Sequence, residues 1–122
     1  MTSATTTLAA LLIALIASTP VLAAETRCGW LQNPTPANWW LDDADGSWTI
    51  MSQGAGEGPP GMDLIPDISE RDYVRTNGNY GYACACLSVE THDGEGSITE
   101  ILSVRQLALS KCQNDKNLSS PE

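Results

Sequence analysis

The pattern of apolar and polar positions predicts short β-strands separated by turns rather than long helices. Asp45-Gly46 and Asn77-Gly78 are hairpin dipeptides, because Gly tolerates the positive φ that tight turns require. No stretch after residue 24 shows the 3.6-residue period of a long amphipathic helix. The predicted strands are residues 39–41, 48–51, 73–76, 80–89 and 98–105.

Pro and Gly mark the connecting segments of the chain. Residues 24–38 contain Pro34 and Pro36 and are predicted to be a loop or an edge, because Pro lacks the backbone donor that a strand ladder uses. Residues 53–67 hold four Gly and three Pro and are predicted to be a long, mobile surface loop. The expected class is mainly β: a small disulfide-stapled antiparallel sheet, a meander that curls toward a barrel or a sandwich, with at most a short C-terminal helical turn.

The N-terminal segment has the layout of a secretory signal peptide. Leu8 to Ala17 is an apolar run followed by small residues, and it is shorter than the about 20 residues of a membrane span. The best cleavage point follows Ala23, and an uncleaved anchor helix is the alternative. We expect residues 1–23 to be a signal peptide. Residues 24–122 then form one small β-rich domain, periplasmic or secreted, with no stable membrane span after cleavage.

The strand at residues 80–89 has two uncharged faces. In a strand, residues two apart point to the same side, so Tyr80, Tyr82, Cys84 and Cys86 share one face. The opposite face carries small and aliphatic residues. A strand without a charged face is typical of a central position that is covered on both sides.

Four cysteines in an exported domain predict two disulfides. A bond between Cys84 and Cys86 would need a kinked strand, because Cβ atoms two residues apart lie about 6.5 Å from each other and a disulfide needs about 3.5–4.5 Å. Each therefore pairs with Cys28 or Cys112. We favour Cys28–Cys86 with Cys84–Cys112; Cys28–Cys84 with Cys86–Cys112 is the alternative.

Charge and composition narrow the function classes. The formal net charge of −9 disfavours nucleic-acid binding, which needs Lys and Arg against phosphates. No metal site and no cofactor are expected: the cysteines lack the paired knuckles of a zinc site, and Asp43-Ala44-Asp45-Gly46 lacks the closing Glu of a calcium loop. His92 is the only His, and no catalytic set is recognisable, so a non-enzyme is favoured.

Aromatic residues supply the candidate binding positions. All four Trp lie between residues 30 and 48, and neighbours in an extended segment face opposite sides, so one of Trp39 and Trp40 is expected near the surface. Such a ring could bind a glycan, with Asn33 and Asn38 nearby. The binding residues we select from the sequence are Trp39, Asn77, Asn79 and Tyr80.

The order of several short motifs resembles a known family. The motifs are Cys28-Gly29-Trp30, Asn33-Pro34-Thr35-Pro36, Asn38, Asp45-Gly46, Trp48, Ile50, Gln53-Gly54, Thr76-Asn77-Gly78-Asn79-Tyr80-Gly81-Tyr82, Cys84, Cys86, Cys112 and Asp115. In this combination the chain resembles the small exported bacterial proteins catalogued as domain of unknown function number four thousand and eighty-seven. The resemblance spans nearly the whole mature chain and implies a bacterial envelope protein, with no implied activity.

The leading hypothesis is an exported binding or inhibitor-type module. Its partner would be a cell-wall glycan or a basic envelope-acting protein such as lysozyme, whose charge complements an acidic chain. The alternatives are a redox protein that uses the Cys84-Ala85-Cys86 pair, a carboxylate-based hydrolase and a structural envelope factor.

Overall fold

A computed structural model describes residues 2–4, 9–14 and 24–121. Most of the expected signal peptide, and its cleavage point, lie outside the described residues. Among the residues that are described, no helix has the length and apolar content that a membrane crossing requires. The strands are β1 (Glu25–Thr35), β2 (Asn38–Asp43), β3 (Gly46–Met51), β4 (Val74–Asn77), β5 (Tyr80–His92) and β6 (Ser97–Leu107); α1 is Leu109–Gln113, and short 3-10 helices span Met62–Leu64, Ile68–Glu70 and Asp93–Glu95.

The six strands form a sheet that closes on itself. Their order is β1-β2-β3-β6-β5-β4, and β1 also pairs with β5, so five strands make a ring and the short β4 extends it beside β5. All pairs are antiparallel except β3 with β6, which meet at Thr49 and Ser97 and share the bond from Thr49 N to Gly96 O at 2.8 Å. The expected mainly β class is confirmed, and the sheet is mixed because of this single parallel contact.

Strand β5 is central, as the sequence indicates. One edge of β5 pairs with β1 from Gly81 to Val89, and the other edge pairs first with β4 and then with β6. Ala83, Ala85, Leu87 and Val89 point into the barrel and are fully buried. The opposite face is covered at Cys84, which packs with Tyr82, Trp30 and Cys112 in a second apolar cluster.

The disulfides join β5 to both ends of the domain. Cys28 bonds to Cys86, its direct cross-strand partner, and Cys84 bonds to Cys112 in α1. This is the pairing that the sequence analysis favours. The second bond closes a 28-residue separation, which in the chain-entropy model corresponds to about 3–4 kcal/mol of stabilisation.

One local prediction is wrong. Residues 25–35, expected to be a loop or an edge, are strand β1, which pairs with β5 through Asn33 and with β2 on its other side. Pro34 is tolerated there because the β1–β2 register shifts between Gln32 and Thr35, so no regular ladder bond is lost. The expected short C-terminal helical turn is confirmed as α1, which includes Cys112.

The long connection between β3 and β4 closes one end of the barrel. Ile68 is 4% exposed and belongs to the main core. The bond from Ile101 N to Pro60 O, at 2.9 Å, ties the connection to β6, and Gln106 Nε2 donates to Ile68 O at 2.9 Å. Gly61 has a φ of 95°, and an added Cβ would lie 1.9 Å from Ile101 O, so only Gly fits this close approach.

Arg27 links β1 to the β2–β3 turn. Its guanidinium stacks on the Trp48 ring at 3.7 Å and bonds to Asp43 at 2.8 Å, to Glu25 at 2.6 Å and to Asp45 at 3.1 Å. Burial lowers the pKa of Arg27, but hydrogen bonds to the three carboxylates outweigh burial and raise the pKa above its usual value. The guanidinium therefore keeps its charge at alkaline pH.

Gly29 is predicted to be the less replaceable of two glycines. An added Cβ at Gly29 would lie 2.0 Å from Asp42 O in β2, whereas at Gly78 it would meet nothing within 4 Å. Gly29→Ala should lower the free energy of unfolding by about 2–3 kcal/mol, because backbone must move. Gly78→Ala, at a φ of 60°, should lower it by about 1 kcal/mol. Urea unfolding with both disulfides intact measures the difference; equal losses would contradict the close β1–β2 approach.

Candidate functional site

Two adjoining cavities meet at Trp39, and together we call them the Trp39 groove. The first is about 380 Å³ and lies on the outer face of β2 and β3. The second is about 300 Å³ and lies where β1, the β4–β5 turn and the long connection converge. The first is lined by Asn38, Trp39, Trp40, Asp42, Ser47, Thr49, Met51 and Ser52, and the second by Asn33, Trp39, Pro66, Asp67, Ile68, Ser69, Tyr73, Asn79 and Tyr80.

Trp40 and Asp42 form a hydrogen-bonded wall of the first cavity. Trp40 Nε1 donates to Asp42 Oδ2 at 3.0 Å, and the Ser47 hydroxyl donates to Asp42 Oδ1. These bonds fix the half-buried indole on the outer face of the hairpin. A carboxylate accepts about four hydrogen bonds, so Asp42 keeps capacity for hydroxyl or amide donors of a ligand.

Both adjacent Trp residues of β2 line the first cavity. Trp40 pairs with Thr49 and Trp39 pairs with Met51, so Ile50 is an extra residue on β3. Both Trp residues are half-buried, and Trp39 also packs against the main core. Trp39 therefore connects the core to the wall of the cavity.

The second cavity is framed by short hydrogen-bonded turns. Tyr73 donates its hydroxyl proton to Asn79 O at 3.1 Å, which fastens the β4–β5 turn. Asp67 accepts from Ser69 N at 3.1 Å and from Ser69 Oγ at 2.6 Å. The bonds from Ser69 hold the pKa of the exposed Asp67 carboxyl below its usual value, so this group is anionic near neutral pH.

Three of the four binding residues selected from the sequence come together. Trp39, Asn79 and Tyr80 line the second cavity, although they belong to different strands and turns. Asn77 does not line either cavity; its side-chain amide donates to Pro34 O at 3.3 Å and links the two hairpins. Asn33, which the sequence analysis places near the exposed Trp ring, lines the second cavity. Its amide nitrogen donates to the carbonyls of Thr35 and Asn38.

Sequence reasoning missed Tyr73, Asp67 and Asp42 as lining residues. Tyr73 lies in a predicted strand, but nothing local shows which way its ring points. Asp67 reaches the cavity only because the long connection folds back over the barrel end. The alternation of Trp40 and Asp42 on one strand face is a usable signal, since residues two apart share a side.

The groove is acidic. Asp42 and Asp67 line it, and no Lys, Arg or His is found among the described residues that line it. Arg75 stacks on the Tyr73 ring at 5.7 Å and donates to Ser69 O at 3.3 Å, but it lines neither cavity. No group of three metal-ligating side chains occurs within the described part of the chain. The groove therefore suits neutral or cationic ligands better than anionic ones.

We expect the ionisation of the Tyr73 hydroxyl to lower the free energy of unfolding at alkaline pH. Burial raises its pKa above the ordinary 10.0, and the charge of Asp67 adds to this while Arg75 opposes it. Because the folded pKa exceeds the unfolded one, this contribution is complete below pH 10 and disappears as pH rises through the folded pKa.

The variant Tyr73→Phe removes the titrating group and keeps the ring. Above pH 10 its free energy of unfolding should fall less steeply than that of the unmodified protein, as measured by chemical denaturation at a series of pH values. Parallel curves for the two proteins would show that Tyr73 does not titrate differently on folding.

Comparison with known proteins supports the resemblance seen in the motifs. No curated protein and no solved structure matches the chain. The model of one family matches residues 22–119, which include every strand, α1, both disulfides and the whole Trp39 groove. The chain therefore belongs to the family described as protein of unknown function DUF4087.

Proposed function

We propose that this protein is an exported glycan-binding module that holds a sugar chain in the Trp39 groove. The observation that carries the proposal is the adjacency of two cavities that share one half-buried Trp ring. A linear ligand of repeating units can place one unit in each cavity and pass over Trp39 between them.

The aromatic lining suits the apolar faces of sugar rings. Trp39 and Trp40 line the first cavity, and Tyr73 and Tyr80 line the second beside Trp39. Trp and Tyr combine a large apolar face with a polar edge, which is why they dominate binding hot spots. Volumes of about 380 and 300 Å³ fall at the lower end of ligand cavities, which span about 300–1,000 Å³, as single sugar units require.

The polar lining suits neutral or amino-bearing sugars. Asp42 and Asp67 offer carboxylate acceptors, and Thr49, Asn79 and Tyr80 offer hydroxyl and amide groups around the rings. Sugar hydroxyl and amide groups are donors that such acceptors bind. An anionic chain would meet two carboxylates without a cation to offset its charge, so polyanionic glycans and nucleic acids are disfavoured.

The strand order of the barrel also supports ligand binding on the outer face of β2 and β3. When β4 is set aside, five strands close in the order β1-β2-β3-β6-β5, with β3 and β6 parallel. This matches the five-stranded Greek-key barrel of OB-folds, which bind oligonucleotides and oligosaccharides on the face of strands 2 and 3. The first cavity lies on the corresponding face of this chain.

The place of action that fits these features is the periplasm or the exterior of a bacterial cell. Two disulfides are typical of an oxidising compartment, and all four cysteines are in disulfides. The apolar run from Leu8 to Ala17 supports export. A cell-wall glycan is the sugar polymer that an envelope protein of this kind meets.

Export predicts a defined new N-terminus. Protein recovered from an expressing bacterium should begin at Ala24, because cleavage is expected after Ala23. N-terminal sequencing of the periplasmic and culture fractions measures this. Recovery of the intact Met1 form from the cytoplasm alone would contradict the proposed location.

Glycan binding predicts a selective loss on removal of Trp40. Solubilised, neutral cell-wall glycan fragments should give saturable heat in titration calorimetry with the purified protein. Trp40→Ala should weaken binding at least about tenfold, since truncation of an aromatic hot-spot residue costs about 2 kcal/mol or more. Leu102→Ala is the matched control, because Leu102 is a 43% exposed apolar residue outside both cavities. Absence of heat, or equal weakening by both variants, would overturn the proposal.

The competing partner, a basic envelope-acting enzyme, gives a different pattern in a parallel assay. Inhibition of lysozyme by charge attraction would weaken with added salt and persist in Trp40→Ala, because the net charge of −9 is unchanged. Glycan binding through the groove would depend on Trp40 and only weakly on salt.

A further inference from the structure

The two disulfides differ in their access to solvent. Cys84 is fully buried and Cys112 is 4% exposed, so the bond between them lies inside an apolar cluster. Cys28 is exposed and Cys86 is half-buried, on the outer face of the barrel where β1 and β5 pair. Thiol–disulfide exchange requires a thiolate to reach a sulfur atom in line with the bond, so only the outer disulfide is open to exchange in the folded protein.

A cation lies beside the outer disulfide. Arg105 in β6 is the direct cross-strand partner of Cys86 in β5, so their Cβ atoms lie about 4.5–5.5 Å apart on the same face. Both residues line a cavity of about 270 Å³, and Arg105 is the one charged residue among the described residues that line it. Arg105 is distant from Cys86 in the sequence and is brought beside it by the pairing of β5 with β6.

We propose that Cys28–Cys86 is a thiol–disulfide exchange site that an external dithiol reduces while the barrel stays folded. One thiolate of the dithiol attacks the exposed Cys28 sulfur, a mixed disulfide forms there, and Cys86 leaves as a thiolate beside the Arg105 guanidinium. The second thiol of the dithiol then attacks the mixed disulfide and releases Cys28. The dithiol is oxidised by two electrons to its own disulfide, and the two protons that it gives up end on Cys86 and Cys28, each of which leaves as a thiolate.

The direction of attack follows from the surroundings of each sulfur. Cys28 is the more accessible of the two, and a lower pKa of the leaving thiol speeds its departure. Arg105 is the cross-strand neighbour of Cys86, and a neighbouring cation stabilises a thiolate. Cys86 is therefore the better leaving group and Cys28 the site of the mixed disulfide.

The barrel should stay folded when the Cys28–Cys86 bond is reduced, because other contacts hold the same strands together. The β1–β5 ladder continues on both sides of the bond, with Arg27 opposite Leu87 and Gly29 opposite Ala85. The buried Cys84–Cys112 bond remains to fasten α1 to the same strand. Reduction of the outer bond therefore exposes two thiols on an intact sheet, which differs from the Cys84–Cys86 redox pair considered from the sequence.

The test is reduction of the purified oxidised protein under native conditions with dithiothreitol, followed by thiol alkylation and peptide mapping. We expect label on Cys28 and Cys86, none on Cys84 and Cys112, and an unchanged near-ultraviolet circular dichroism spectrum. With reduced glutathione, the mixed disulfide should map to Cys28. Simultaneous labelling of all four cysteines, resistance of the outer bond, or glutathione on Cys86 would overturn the proposal.

The role of Arg105 is tested by the rate of the same reaction. Arg105→Gln should slow native-state reduction about threefold to tenfold, because the leaving thiolate loses its neighbouring charge. Lys116→Gln removes the same charge from the exposed C-terminal segment and should leave the rate unchanged. Equal rates for Arg105→Gln and the unmodified protein would show that the cation has no part in the exchange.

Discussion

Strand β5 holds the domain together, because a single run of backbone pairs with three other strands. β1 occupies one edge, and β4 and β6 share the other. The inward face supplies buried Ala83, Ala85, Leu87 and Val89 to the core, and the outward face carries both cysteine anchors. A residue on this strand is therefore constrained from two edges and two faces, and small side chains are required where other backbone approaches, as at Gly81 beside Val74 O.

The same convergence creates the groove. The β4–β5 turn, the β1–β2 hairpin and the long connection meet at one end of the barrel and form the second cavity, and Trp39 joins it to the first cavity on the outer face of β2 and β3. Trp39 packs on the core with part of its ring and lines both cavities, so the groove is braced by the folded barrel. Internal bonds such as Trp40 to Asp42 and Tyr73 to Asn79 hold its walls before any ligand arrives. A wall held in this way lowers the ordering cost of binding.

The two disulfides differ in burial, and this difference suits the Cys84–Cys112 bond to a structural role and the Cys28–Cys86 bond to a chemical one. The Cys84–Cys112 bond is covered by the apolar cluster of Trp30 and Tyr82, whose rings meet edge to face at 5.3 Å, and it fastens the terminal helix. The Cys28–Cys86 bond joins strands that are already paired, so it adds less to the architecture and remains accessible. The groove and the accessible disulfide use different lining residues, so ligand binding and thiol exchange can be examined separately.

Local signals in the sequence predicted the strands other than β1, the Asp-Gly and Asn-Gly turns and the central place of β5. They also excluded a Cys84–Cys86 bond. These features depend on residue periodicity and short-range geometry. The local signals failed for β1, where Pro34 hid a strand whose register shift absorbs the missing donor. Tertiary structure alone decided barrel closure, the β3–β6 contact, the contact of both Trp39 and Trp40 with one cavity, and the positions of Asp67 and Arg105. Each depends on which distant segments come to lie side by side, and no local pattern of side chains records that choice.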